Sequence, residues 1–156
     1  MEFLKIDFPR VPFTKDYEIF KEIGNLGGRL VNLHLLKSGE LSSPNARFQG
    51  EGNNRIAKAK RVGRNYKPKE KRVYINKDKQ YFEGIEPEVW EYMIGGYQVL
   101  DSWLKYRGEQ KLSTEEIKHF CKMVTALSKT IEIQKEIDKI YPKVEKKIVE
   151  FGGYKS

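Results

Sequence analysis

Lys71-Arg72-Val73-Tyr74-Ile75-Asn76, followed by Lys77-Asp78-Lys79 and then Gln80-Tyr81-Phe82, is the stretch that decides the fold. Val73 and Ile75 alternate with Arg72 and Tyr74, the two-residue period of a strand with one face toward a core. Asn76-Lys77-Asp78 has the chemistry of a tight turn, because Asn and Asp side chains bond to nearby backbone and tolerate left-handed geometry. The chain is thereby predicted to return as a short strand around Gln80-Tyr81-Phe82. Immediately upstream, Arg55 to Arg64 reads as a further strand, joined to Lys71 by Asn65-Tyr66-Lys67-Pro68-Lys69-Glu70. The expectation is a small antiparallel β-meander over residues 55–85 with one apolar and one basic face.

Outward from the meander, residues 37–54 are rich in Ser, Gly, Asn and Pro and read as a long loop, a kind that tends to be functional or disordered. Before it, Thr14 is a plausible N-cap for a helix over 15–36 with Tyr17, Phe20, Ile23, Leu26, Leu30, Leu33 and Leu36 as its apolar stripe. Gly24, Gly27 and Gly28 weaken that helix and predict a bend or a close approach of another backbone. Residues 1–14 are expected to enter as an extended arm, because Pro9 and Pro12 exclude a helix interior.

Residues 86–151 read as helical. Pro87 starts a short helix that Gly95-Gly96 ends, and Tyr97 to Tyr106 resumes it. Ser113 with Glu116 has capping-box spacing for a long helix that Pro142 is expected to stop. Its stripe runs through Ile117, Phe120, Val124, Leu127 and Ile131, then moves to Ile133, Ile137 and Ile140, so the helix is expected to pack on its own domain first and on something else afterwards. The fold class is therefore α+β: a small β-meander with an N-terminal helix and a C-terminal helical half, in a single domain over residues 1–156.

The same meander holds the chain's charge. Nine basic residues between Arg55 and Arg72, against Glu70 alone, equal the whole formal net charge of +8. Concentrated beside Tyr66 and Tyr74, that charge makes a local field suited to a polyanion, while an unpartnered solvated loop is the plain alternative. Lysine and arginine neutralise phosphates, whereas base discrimination needs Arg, Asn or Gln in fixed geometry. The candidate nucleic-acid contacts are Asn53, Asn54, Arg55, Lys58, Lys60, Arg61, Arg64, Tyr66, Lys67, Lys69, Lys71, Arg72 and Gln98. Gln49, Asn65 and Asn76 flank the same strands, and each of them, like Asn53 and Asn54, reads equally as an ordinary turn residue. Gln98 enters through the Gly95-Gly96-Tyr97-Gln98 junction, where a helix N-terminus would present backbone donors to a phosphate.

Catalytic chemistry is sparse. Gly24 to Gly28 follows no strand and precedes no Lys-Ser or Lys-Thr, so it is not a phosphate-binding loop. His34 and His119 lack neighbours at metal-ligand spacing, and Cys121 has no partner for a disulfide and no base for nucleophilic work. Asp101 with Glu109-Gln110-Lys111 echoes the acid and Glu-x-Lys of magnesium nucleases, but Glu145-Lys146-Lys147 repeats the pattern and 52 charged residues make it common. One cysteine, no apolar leader and no long apolar run lead to the expectation of a soluble, cytoplasmic protein without a membrane partner.

Several strings carry a resemblance. Phe8-Pro9-Arg10-Val11-Pro12-Phe13, Leu30-Val31-Asn32-Leu33-His34-Leu35-Leu36, Arg72-Val73-Tyr74-Ile75-Asn76 and Gln80-Tyr81-Phe82-Glu83-Gly84-Ile85 are four of them. The longest runs from Val89-Trp90-Glu91-Tyr92-Met93-Ile94-Gly95-Gly96 to Tyr97-Gln98-Val99-Leu100-Asp101-Ser102-Trp103-Leu104-Lys105-Tyr106-Arg107. Together they resemble the C-terminal target-recognition (specificity) domain of type ISP restriction-modification enzymes and related adenine-specific DNA methyltransferases, across nearly the whole chain. Members of that family join a nuclease, a translocating ATPase, an adenine methyltransferase and a target-recognition domain. The present chain resembles only the last part, and lacks the Asn-Pro-Pro-Tyr, S-adenosylmethionine and P-loop motifs of the others.

The resemblance implies sequence-specific duplex DNA binding and no enzyme activity in this domain. S-adenosylmethionine, ATP and magnesium would then serve other parts of the parent, and the methyltransferase domain of the same polypeptide would be a partner. Two other classes stay open: an RNA or structured nucleic-acid module, and a docking module for a methyltransferase body.

Overall fold

Ser113 opens the element against which the rest is laid. In the computed structural model, which describes residues 12–58, 65–77 and 79–149, a helix follows it over Thr114–Glu145. The capping box is complete: the Ser113 hydroxyl accepts from the Glu116 N–H, and the Glu116 carboxylate accepts from the Ser113 N–H. Numbered in chain order, the helices are α1 Tyr17–His34, α2 Pro87–Trp90, α3 Val99–Tyr106 and α4 Thr114–Glu145. The strands are β1 Arg47–Gln49, β2 Tyr66–Lys67, β3 Arg72–Asn76, β4 Gln80–Glu83, β5 Met93–Ile94 and β6 Tyr97–Gln98.

The moving stripe of α4 serves two cores. Phe120, Val124, Leu127 and Ile131 pack with the sheet residues Val73, Ile75 and Phe82 and with Leu100 and Leu104 of α3. Ala126, Ile133 and Ile140 instead join Leu26 and Leu33 of α1. The later stripe, expected to pack on something other than its own domain, meets α1 of the same domain instead, because Leu26 and Leu33 supply the apolar face it needs. Phe82 is fully buried between Phe48 and Phe120, at 4.8 and 4.2 Å between ring centroids, and burial of a side chain this size contributes roughly 1.5–3 kcal/mol.

The sheet has the order β1-β4-β3-β2, antiparallel throughout. It differs from the expected meander at both edges. The long loop contains a 3₁₀ turn at Gly39–Ser42 and then β1, whose Phe48 pairs with Phe82. On the other side the neighbour of β3 is Tyr66–Lys67. Of the strand expected over Arg55 to Arg64, Arg55 makes an isolated bridge to Lys111, Ile56 to Lys58 are irregular, and the remainder lies outside the described residues. The Ile56 N–H bonds the Gln110 carbonyl and the Ala57 N–H the Ile75 carbonyl, so these residues are held between β3 and the loop before α4.

Three helix boundaries also shift. Asp16 caps α1, accepting from the N–H groups of Glu18 and Ile19, while Thr14 bridges to Ile148 and ties the two ends of the described chain together. α1 passes through Gly24, Gly27 and Gly28, and nothing lies within 4 Å of a Cβ built on any of them, so no close backbone approach explains these glycines. α4 continues past Pro142 to Glu145, because the buried Ile140 and Val144 keep the next turn packed. Gly95-Gly96, expected to end a helix, is the turn of the β5–β6 hairpin, with φ of +54° and +83° at the two glycines. Among the described residues no helix is long and apolar enough to cross a membrane.

Candidate nucleic-acid interface

The sheet places Lys67, Lys71 and Arg72, the end of the basic segment, on its β2–β3 edge, where acids meet them. The Arg72 guanidinium bonds Glu83 at 3.2 Å and lies 4.5 Å over the Tyr81 ring. The Lys67 ammonium sits 4.5 Å over the Tyr74 ring and 3.8 Å from Glu70, whose carboxylate also accepts from the Tyr74 hydroxyl. Lys71 pairs with Glu86 at 2.7 Å. The face expected to be simply basic is therefore a layer of cations laid over tyrosines, with Tyr74 itself buried, and its field is partly offset by Glu70, Glu83 and Glu86.

Tyr66 is built into the fold. Its hydroxyl donates to the Ile85 carbonyl at 2.8 Å and its ring stacks on Trp90. Burial, followed by the nearby carboxylates of Glu86 and Glu91, pushes its phenol up to about 12. Gln98 is similarly occupied: its side chain donates to the Trp90 carbonyl at 2.6 Å and does not cap α3, and the Val99 N–H already bonds the Tyr92 carbonyl. The junction thus uses in the fold the first donor that a phosphate would have needed.

Asn53, Arg55, Lys58 and Lys69 are exposed. The Asn53 side chain accepts from the Arg55 N–H, and Arg55 Nε donates to the Glu109 carbonyl, which ties the exposed guanidinium to the fold through one of its three nitrogens. Asn54, at φ +59°, turns inward instead. Its backbone N–H and side-chain oxygen both bond the Gln80 amide, and its carbonyl accepts from the Leu112 N–H. Lys60, Arg61 and Arg64 lie outside the described residues.

Sequence reasoning missed the other wall of this region. Lys77 and Lys79, on the β3–β4 turn, face the Gly50–Arg55 loop across a groove of about 470 Å³ that Glu51, Asn53, Arg55 and Asn76 also line. Their signal was present as one lysine inside the predicted turn Asn76-Lys77-Asp78 and one immediately after it. The nuclease reading gains no assembled site. Asp101 is buried and paired with Lys105 one turn along α3, Glu109 sits in a left-handed turn, and among the described residues no three metal-ligating side chains converge.

The fold is similar to that in a structure of a nuclease-deletion mutant of the type ISP restriction-modification enzyme LlaGI in complex with a DNA substrate mimic. The TM-score is 0.52 at 16% sequence identity, and the similarity covers 83% of this chain but 13% of that one. No curated protein matches the chain. The profile of one family does match, over residues 1–136, and with that extent of agreement the chain belongs to the type ISP C-terminal specificity domains.

Proposed function

We propose that this chain is the target-recognition domain of a larger type ISP restriction-modification enzyme, and that it binds duplex DNA sequence-specifically. The observation that carries the reading is the segment from Arg55 to Arg72, which holds the entire net charge and leaves Arg55, Lys58 and Lys69 exposed. Membership of a specificity-domain family supports it, as does the complex of LlaGI with a DNA substrate mimic. Cleavage, translocation and adenine methylation, with their ATP, magnesium and S-adenosylmethionine, belong on this reading to other parts of a cytoplasmic parent whose methyltransferase domain is this domain's neighbour.

Binding to a duplex library across a salt series tests it. Each phosphate engaged contributes about 0.9 to the log–log slope, so replacing Lys58, Lys60, Arg61 and Arg64 by alanine flattens the slope and weakens binding. A folded quadruple variant with unchanged affinity and slope removes this segment from the interface. Preference for single-stranded or A-form RNA in the same titration favours the RNA module instead.

A further inference from the structure

Gln80 is a strand residue with 1% of its surface exposed, and its amide uses every valence it has. Nε2 donates to Asn54 Oδ1 at 2.7 Å and to the Gly50 carbonyl at 3.4 Å, and Oε1 accepts from the Asn54 N–H at 2.9 Å and from Asn76 Nδ2 at 3.0 Å. Asn76 Nδ2 also donates to the Arg55 carbonyl, and Asn76 Oδ1 accepts from the Gln80 N–H. The buried Gln80 side chain from β4 thereby fixes a surface loop at Gly50 and Asn54, and Asn76, bonded to it, holds the loop at Arg55.

The loop is pressed against its support. A Cβ on Gly52 would lie 2.6 Å from Gln80 Oε1, and one on Gly50, at φ +95°, would lie 2.0 Å from the Lys79 carbonyl. A fully satisfied polar network of this kind selects one loop conformation, the condition for reading bases by hydrogen bonds, where a misplacement of about 1 Å is costly. What it holds in place is the wall of the 470 Å³ groove: Asn53 and Arg55 on the loop, opposite Lys77 and Lys79, with Glu51 also in the lining.

The geometry points to this groove as a specificity-determining DNA subsite, with Gln80 as its positioning residue, Asn53 and Arg55 as base-edge readers and Lys77 and Lys79 as phosphate contacts. The inference rests on the target-recognition reading and adds residues to it. The lock is needed because Asn and Arg discriminate bases only when their forks are held at a fixed angle and depth. Lysines, as flexible point charges, need no such holding.

Selection from a random duplex library, followed by competition against non-specific duplex at several salt concentrations, separates these roles. The wild-type chain is expected to enrich a motif. Gln80→Glu, which loses both amide donors and sets a carboxylate against Asn54 Oδ1, should keep its non-specific affinity within about threefold and keep its salt slope, yet lose about tenfold or more of its motif preference. Circular dichroism fixes a temperature at which the variant is folded. Should Gln80→Glu not fold, Gly52→Ala displaces the same amide without removing a polar group, and the same loss of preference is expected. Lys77→Ala with Lys79→Ala should retain the motif and lower the slope by about 0.9 for each phosphate no longer neutralised. Wild-type motif preference in folded Gln80→Glu or in Gly52→Ala overturns the role of Gln80, and an unchanged slope in the lysine variant overturns the groove. A wild-type chain that enriches no motif removes the target-recognition reading and this inference together.

Discussion

The Tyr66 ring stacks on Trp90 with centroids 4.7 Å apart and planes 13° from parallel, joining a two-residue edge strand to the short helix α2. So short a strand gains little from its ladder, and the stack and the bond to the Ile85 carbonyl hold it in place. Tyr66→Ala is expected to destabilise the chain by about 2–4 kcal/mol and Tyr66→Phe by about 1 kcal/mol in urea denaturation. DNA affinity of the phenylalanine variant should match wild type, because the hydroxyl is already engaged.

The same phenol makes stability sensitive to alkali. Its neutral form is favoured in the folded chain, first by burial and then by Glu86 and Glu91, so its value rises from 10.0 to about 12. A raised value means that this contribution is complete below pH 10 and is lost as pH rises toward 12. Chemical denaturation at intervals across that window should show a steeper decline in wild type than in Tyr66→Phe. Equal slopes would mean that the phenol titrates alike in both states.

Glycines at positive φ differ in what surrounds them, which gives a paired test. A Cβ at Gly84, φ +79°, would lie 2.6 Å from the Asn45 carbonyl oxygen, whereas one at Gly95, φ +54°, meets nothing within 4 Å. Gly95→Ala therefore bears only the left-handed backbone cost, about 1 kcal/mol, while Gly84→Ala adds a backbone collision and should cost about 2–4 kcal/mol. Thermal denaturation of the two variants measures the difference.

The capping box at the start of α4 supplies an acid-side counterpart. Glu116 is held below its ordinary 4.5, first by the Ser113 backbone N–H and next by Arg107. A lowered value means stability that is present above pH 4.5 and lost as pH falls through the folded value. Ser113→Ala should cost about 1 kcal/mol at neutral pH, and Glu116→Gln should weaken the acid dependence in denaturation series.

What could be read from residues alone follows how local each cause is. Val73 and Ile75 announced β3 because strand periodicity lies in the sequence itself, and the drifting α4 stripe announced two partners for the same reason. β1 was hidden, since Arg47-Phe48-Gln49 is three residues among Ser, Pro, Gly and Asn, and its pairing is decided by Phe48 meeting Phe82. Gly95-Gly96 was ambiguous chemistry, because glycine both terminates helices and supplies the positive φ of hairpin turns. The basic segment was legible as charge but not as a surface. Only the fold shows that Tyr66 and Arg72 are committed to Trp90, Glu83 and Tyr81, and that Gln80 organises the loop.

Division of labour within a parent enzyme gives the most demanding test. Exchanging Phe48 to Asn76 for the matching segment of a relative with another target should move the methylated site while turnover on a cognate site changes little, because groove contacts specify and phosphate contacts position. The exchange carries the loop, the basic segment and β3, but it leaves Phe82 and Gln80 behind. The donor must therefore supply an aromatic residue at 48 and amides at 54 and 76 if the loop is to lock. Within the segment, Asn53→Ala or Arg55→Ala should each cost about 1–3 kcal/mol by removing a hydrogen bond to a base edge, and relax one position of the site. Mapping methylated positions in the chimera's DNA gives the answer. A folded, active chimera that keeps its original target places specificity in the Gly95 to Arg107 region or in the methyltransferase domain.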